Sequence, residues 1–189
     1  SVEQQISYPL VFAGWMSERD IDVFRAIATD FSADLSALIF LGHVSDEELE
    51  HLYRGCSVFV FPSWHEGFGL PALEAMAAGS AVIAANSSSL PEVVGMPEAL
   101  FDPYDVDSIA HMLARAIEDE EFRARLLEHA PKQAAKFSWR NTASQGMSFF
   151  ESFSKVTDKR GSTPPGKAGS IEAWASGYQK RLHKFLKLL

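Results

Sequence analysis

The chain has 189 residues, 47% hydrophobic and 22% charged, the make-up of a globular domain of ordinary size with an appendage. No apolar run approaches the ~20 residues that a membrane-spanning helix needs, and a net charge of −8 excludes broad nucleic-acid binding, which requires a basic face. The single cysteine, Cys56, has no partner for an internal disulfide and reads as a small buried hydrophobe.

The opening stretch SVEQQISYPLVFAGW has no basic n-region, and Pro9 and Gly14 interrupt its apolar residues. It does not read as a signal peptide, so the cytoplasm is the expected compartment, with the inner face of the membrane as a further location. Short apolar, β-rich runs then recur between helical patterns, at Pro9 to Ala13, Ala37 to Leu41, Val58 to Phe61, Ala81 to Ala84 and Ala99 to Phe101. That alternation predicts an α/β fold, a Rossmann-like parallel sheet with helices on both faces. Ser45 with Glu48 forms a capping box ahead of Leu49 and Leu52, and Asp105 or Asp107 opens the helix that carries Ile109, Leu113 and Ile117. Ser87 to Ser89, before Pro91, read as caps of the helix containing Glu92 and Val93, in a loop that can also border a ligand site.

After Asp119 the pattern is wholly helical, through Phe122, Leu126 and Leu127 and then from Trp139 to about Phe153. The domain reading is a Rossmann-like unit over 1–154, a Pro- and Gly-rich linker over 155–170, and an amphipathic helix over 171–189. In that last helix Ile171, Trp174, Tyr178, Leu182, Phe185 and Leu189 form an apolar stripe beside Lys180, Arg181, Lys184 and Lys187. Self-association through the stripe is the expectation, with peripheral membrane contact as the alternative.

Chemistry concentrates between Val58 and Ala84. A strand there runs into the loop Pro62 to Gly69, and Pro71 suits the first turn of the following helix, where a missing N–H is harmless. Ligands of open parallel sheets bind at this edge. Gly67 and Gly69 let the backbone approach a ligand closely, and the N–H groups around Gly69 to Ala72 can face a phosphate. Glu66 in the loop and Glu74 one turn into the helix are double acceptors suited to sugar or ribose diols. Their spacing alone is uninformative. His65 and His43 read as loop contacts rather than bases.

The run HEGFGLPALEAMAAGSAVIAANSSSLPEVVG resembles the donor-site signature of family 4 of the retaining glycosyltransferases, which have the two-domain GT-B fold. FLGHVSDEELEHLYRGCSVFVFPS before it, and ALFDPYDVDSIAHML and KFSWRNTA after it, are similar to the family pattern in the same order, so the likeness covers about Pro9 to Phe150. The resemblance implies that this chain is the C-terminal, donor-binding half of such an enzyme. It would serve transfer of a hexose from a nucleotide-diphosphate sugar, with GDP-mannose preferred, to a glycan or lipid-linked acceptor, with retention. Carried over by position, Glu74 binds the ribose hydroxyls and Glu66 contacts the transferred sugar as the catalytic-site carboxylate. Gly67, Phe68, Gly69 and Leu70 present backbone to the sugar and diphosphate, and Gly42, His43 and Val44 lie against the base. No metal and no cofactor beyond the donor is implied.

The family pattern also has an earlier strand and helix with an Arg and a Lys that clamp the diphosphate, behind an acceptor-binding domain. Pro9 to Gly14 resembles the next strand, and no Lys or Arg precedes Arg19. The domain is therefore expected to be N-terminally incomplete, partnered by the missing acceptor domain or its equivalent, and inactive alone. A non-catalytic nucleotide-sugar or interaction module is the alternative. A nicotinamide dehydrogenase fits less well, because PSWHE separates the strand from Gly67, Gly69 and Ala72 and no acidic residue ends the next strand near Asn86.

Overall fold

A computed structural model of the chain describes residues 8–158, with side chains through Ser152. The linker beyond Asp158 and the amphipathic helix expected over 171–189 lie outside the described residues. Five strands alternate with helices: β1 (Leu10–Ala13), α1 (Glu18–Asp30), β2 (Leu38–Gly42), α2 (Asp46–Gly55), β3 (Phe59–Phe61), α3 (Leu70–Ala77), β4 (Val82–Ala85), α4 (Leu90–Val94), β5 (Leu100–Phe101), α5 (Val106–Glu118) and α6 (Glu120–Ala134). One compact unit ends at Ser138; a second begins at Trp139 with α7 (Trp139–Asp158). Helix α7 runs into the first residues of the span read as linker. No helix among the described residues is long and apolar enough to cross a membrane.

All strand pairings are parallel, as the apolar runs predict, but the single sheet expected from them is divided. β1 pairs with β2 in one sheet, and β3, β4 and β5 form another in that order. Apolar runs report burial and say nothing about which edges meet. The two pieces have the neighbour relations of strands 3-2 and 4-5-6 in the doubly wound order 3-2-1-4-5-6. Among the described residues no strand stands in the place of strand 1.

The helix starts follow from local hydrogen bonding. The Ser45 hydroxyl accepts from Glu48 N–H (3.3 Å) while Glu48 Oε2 accepts from Ser45 N–H (2.7 Å), which completes the expected capping box. These hydrogen bonds hold the Glu48 carboxyl below its ordinary pKa. Ser17 and Asp20 do the same for α1. Of the two candidates before α5, Asp105 is the cap, accepting from Asp107 N–H at 3.0 Å. Pro71 lies in the first turn of α3.

The core is one-sided in sequence. It gathers Met76 of α3, Ile83 of β4, Val93 of α4, Phe101 of β5, and Phe122 and Leu126 of α6, and every residue of β4 is buried. Within it Gln133 of α6 donates its carboxamide to the carbonyls of Glu92 (3.0 Å) and Val93 (3.1 Å), closing the end of α4. Gly95, left-handed at φ 63°, passes over that carboxamide, where a Cβ would clash with it. Cys56 is half-buried and its thiol donates to the Tyr53 carbonyl (3.2 Å). Burial pushes its pKa up.

Candidate functional site

The C-terminal ends of β3, β4 and β5 place three loops at one edge of the larger sheet, where open parallel sheets hold ligands. The first, Pro62 to Gly69, carries most of the residues singled out from sequence. It ends on Gly69, the N-cap of α3, at φ 101° and ψ 46°. A Cβ built there would sit 2.6 Å from Leu90 Cδ2, so both the backbone conformation and the lack of space demand glycine. The chain can thus turn sharply into α3, where the Ala72 and Leu73 N–H groups donate to the Gly69 carbonyl (3.1 and 3.2 Å) and Pro71 has no N–H, so that the amides of Gly69 and Leu70 are the donors left for a ligand at this helix start.

Glu66 is half-buried in this loop. Its N–H donates to Ser88 Oγ (2.9 Å), and its carbonyl accepts from Ser89 Oγ (3.2 Å). Ser89 Oγ also donates to the Phe68 carbonyl (2.7 Å), and Ser87 Oγ to the Trp64 carbonyl. This corrects the reading of Ser87 to Ser89 as helix caps: Ser89 occupies the N-cap of α4 but makes no capping hydrogen bond with its side chain. The exposed carbonyls of the neighbouring loop take the hydroxyls instead. Phe68 stands edge-on against Phe137, ring centroids 5.6 Å apart.

Glu74 is exposed on α3, and its Oε2 accepts from the Tyr53 hydroxyl of α2 at 3.3 Å. Burial of the phenol, and then the adjacent carboxylate, push the Tyr53 pKa to about 12, so the hydroxyl remains a donor at neutral pH. A carboxylate offers about four lone-pair sites, so Glu74 keeps acceptor capacity for a diol. Tyr53 is a neighbour of the candidate site that sequence reasoning missed. No local pattern marks it, because its partner lies 21 positions away on another helix.

At the outer side of the edge Trp64 and Tyr104 stack with centroids 5.7 Å apart and planes 26° from parallel, and they are 65% and 76% exposed. Trp64 Nε1 donates to the Pro103 carbonyl (3.3 Å). His65 is exposed, and its carbonyl accepts from Ser63 Oγ (3.4 Å). The loops Pro62 to Gly69 and Asn86 to Ser89 contain no Lys or Arg.

Gly42, His43 and Val44 stand at the end of β2, in the smaller sheet, and share no hydrogen bond with the Pro62 to Leu70 segment among the described residues. Gly42 is left-handed at φ 68°, and its carbonyl accepts from Gly14 N–H (2.8 Å), which joins the two strand ends of that sheet.

Residues 2–133 match the family described as "Glycosyl transferases group 1". The chain is 42% identical over 171 residues to the serotype-specific mannosyltransferase WbdA of Escherichia coli, covering 90% of this chain and 21% of that protein. It is 37% identical over 150 residues to O-antigen chain mannosyltransferase B of the same organism, covering 79% and 39%. The chain thus spans about a fifth of the length of the first relative and two fifths of the second. Among solved structures, sucrose-phosphate synthase from Thermosynechococcus elongatus superposes with a TM-score of 0.66 at 25% identity, over 78% of this chain and 39% of that one. HepE of Anabaena, solved in complex with UDP, gives 0.64 at 22% identity, over 77% and 41%, a likeness of fold.

Proposed function

The chain belongs to the glycosyl transferases of group 1, and from that membership we propose that it supplies the donor-binding half of a retaining hexosyltransferase acting in the cytoplasm. The observation that carries the reading is the Gly69 turn into α3. It supports the reading by putting Glu66 in the loop ahead of the α3 N-terminus and Glu74 one turn inside the helix, at the edge where open parallel sheets hold ligands. A nucleotide-diphosphate sugar needs those parts: N–H dipoles for the diphosphate and charged acceptors for its two sets of sugar hydroxyls.

In this reading Glu74 takes the ribose diol and Glu66 the transferred hexose, while the backbone of Gly67, Phe68, Gly69 and Leu70 faces the sugar and diphosphate. Gly42, His43 and Val44, at the end of β2 in the same compact unit, receive the base. The identity to two mannosyltransferases favours a mannosyl donor such as GDP-mannose. The acceptor is a glycan or lipid-linked glycan bound by a second domain. Retention follows a front-face course, in which the leaving diphosphate and the acceptor lie on the same side of an oxocarbenium-like sugar. Glu66 positions the hexose and does not attack it. With no Lys or Arg in the two loops, the helix N-terminus, worth at most ~2 kcal/mol, leaves the diphosphate partly uncompensated. The chain alone is accordingly a weak binder without transferase activity.

Saturation-transfer NMR with GDP-mannose, UDP-glucose and GDP tests the proposal, since it reads weak complexes. Sugar and ribose signals are expected with wild type and reduced ribose signals with Glu74→Gln. Absence of transfer from every nucleotide overturns the donor-domain reading.

A further inference from the structure

Beyond the ends of β3 and β4 the two chains diverge toward separate helices, and backbone-to-backbone hydrogen bonds between them stop. The serine hydroxyls take over. Partners in the two strands are 23 positions apart in sequence, as Phe61 opposite Ala84; Ser87 with Trp64 and Ser89 with Glu66 keep that offset, while Ser88 with Glu66 is 22 apart and Ser89 with Phe68 is 21 apart as the chains turn toward their helices. Roles alternate along the row: Ser87 donates to the Trp64 carbonyl, Ser88 accepts from the Glu66 N–H at 2.9 Å, and Ser89 shares its one proton between the carbonyls of Phe68 (2.7 Å) and Glu66 (3.2 Å). Only a hydroxyl offers both a donor and an acceptor on so short a side chain. Alanine provides neither, and a longer amide would push the loops apart. Ser88 holds a left-handed backbone, φ 48°, which is costly for a residue with a Cβ and is retained here while its Oγ meets the Glu66 amide.

We infer that Ser87, Ser88 and Ser89 are positioning residues: a hydroxyl ladder that extends the β3–β4 pairing past the strand ends and fixes the height of the Trp64–Phe68 loop. The assignment of what that loop holds rests on the donor-site reading above; the ladder itself does not. It holds the two peptide units that flank the Glu66 Cα, one through the Glu66 N–H and the other through the Glu66 carbonyl, so the Glu66 side chain is set from its own backbone. Other ties of the loop, Trp64 to Pro103 and Tyr104 and Phe68 to Phe137, act through side chains and leave the Glu66 backbone unheld.

The test is residue-resolved amide exchange on the full chain carrying Ser88→Ala, with Ser87→Ala as a second variant. Removing the Ser88 acceptor should speed exchange of the Glu66 amide roughly three- to tenfold, the loss of one ordinary hydrogen bond, while the amides of Val82 to Ala85 keep their rates. Ser87→Ala, which removes a bond to a carbonyl, should leave the Glu66 amide nearer to wild type than Ser88→Ala does. Unchanged Glu66 exchange in Ser88→Ala, or an equal acceleration throughout β4, overturns the ladder. GDP-mannose titration of the same variants separates the two ideas. If wild type shows no binding, the donor reading fails and the exchange data still decide the ladder. If wild type binds, Ser88→Ala should weaken GDP-mannose more than GDP, because Glu66 faces the sugar.

Discussion

The Tyr53 hydroxyl reaches across from α2 to Glu74 Oε2 on α3, 3.3 Å away, and so orients the carboxylate proposed to read the ribose diol. A buried phenol is a firmer brace than a surface side chain, because its ring is fixed by the core and edge-on contact with Phe59, centroids 5.2 Å apart.

Glu74→Gln should weaken nucleotide-sugar binding by roughly 1 to 3 kcal/mol, since a carboxamide loses the charge and the bidentate diol geometry. Tyr53→Phe keeps the carboxylate and removes only its brace, so a smaller loss of about 0.5 to 1.5 kcal/mol is expected. Titration of the three proteins with GDP-mannose measures both. Equal affinities for wild type and Glu74→Gln would take Glu74 out of the site.

Tyr53 should also report itself in alkali. Its folded-state pKa, about 12, lies above that of an unfolded tyrosine near 10, so the neutral phenol favours the fold. That contribution is complete below pH ~10 and is lost as pH rises from there through about 12. Ultraviolet titration of tyrosinate should show one late ionisation that disappears in Tyr53→Phe. A Tyr53→Phe curve that overlays wild type above pH 11 would contradict the assignment.

Gly69→Ala brings two penalties together, a left-handed φ of 101° and a Cβ placed 2.6 Å from the buried Leu90 side chain. A loss of about 2 to 4 kcal/mol in urea denaturation is expected from strain and overpacking combined. Adding Leu90→Ala relieves the contact without relieving the backbone, so it should not restore wild-type stability. A Gly69→Ala midpoint equal to wild type would show that the turn is built differently.

Gln133→Met preserves volume and removes the side-chain donor that the Glu92 and Val93 carbonyls share among the described residues. Leaving buried acceptors unpaired costs about 1 to 3 kcal/mol, which should appear as a lower urea midpoint with an unchanged slope. A neutral result would mean that water replaces the carboxamide.

What the sequence made legible is what repeats locally. All five strands form within a residue or so of the apolar runs, the Ser45–Glu48 box closes as its spacing requires, and Pro71 sits in the first turn of α3. The family resemblance is likewise legible, and residues 2–133 match the family model. Contacts between distant elements left no periodic trace. The Tyr53–Glu74 bond, the tight approach of Gly69 to Leu90 and the division of the strands into two sheets depend on how elements dock, which composition does not encode. Ser87 to Ser89 mislead for a related reason. Serine ahead of a helix is the usual cap, and only the nearness of another loop, 21 to 23 positions earlier, diverts the hydroxyls.

No described residue before Tyr53 is buried; the entire core lies between Tyr53 and Ala134. The β1–α1–β2 portion therefore has its own, much smaller, reserve of cohesion, and the chain should not melt as one cooperative body. In a scanning calorimeter the early portion gives a broad, low-enthalpy endotherm ahead of the main peak, and the calorimetric enthalpy exceeds the van't Hoff value. Any single melting temperature quoted for this chain would describe only the part that carries Glu66 and Glu74, while the end of β2, where Gly42 to Val44 stand, loosens first. Ligands that need both portions would then be bound by a shrinking fraction of molecules on warming, well before the main transition begins.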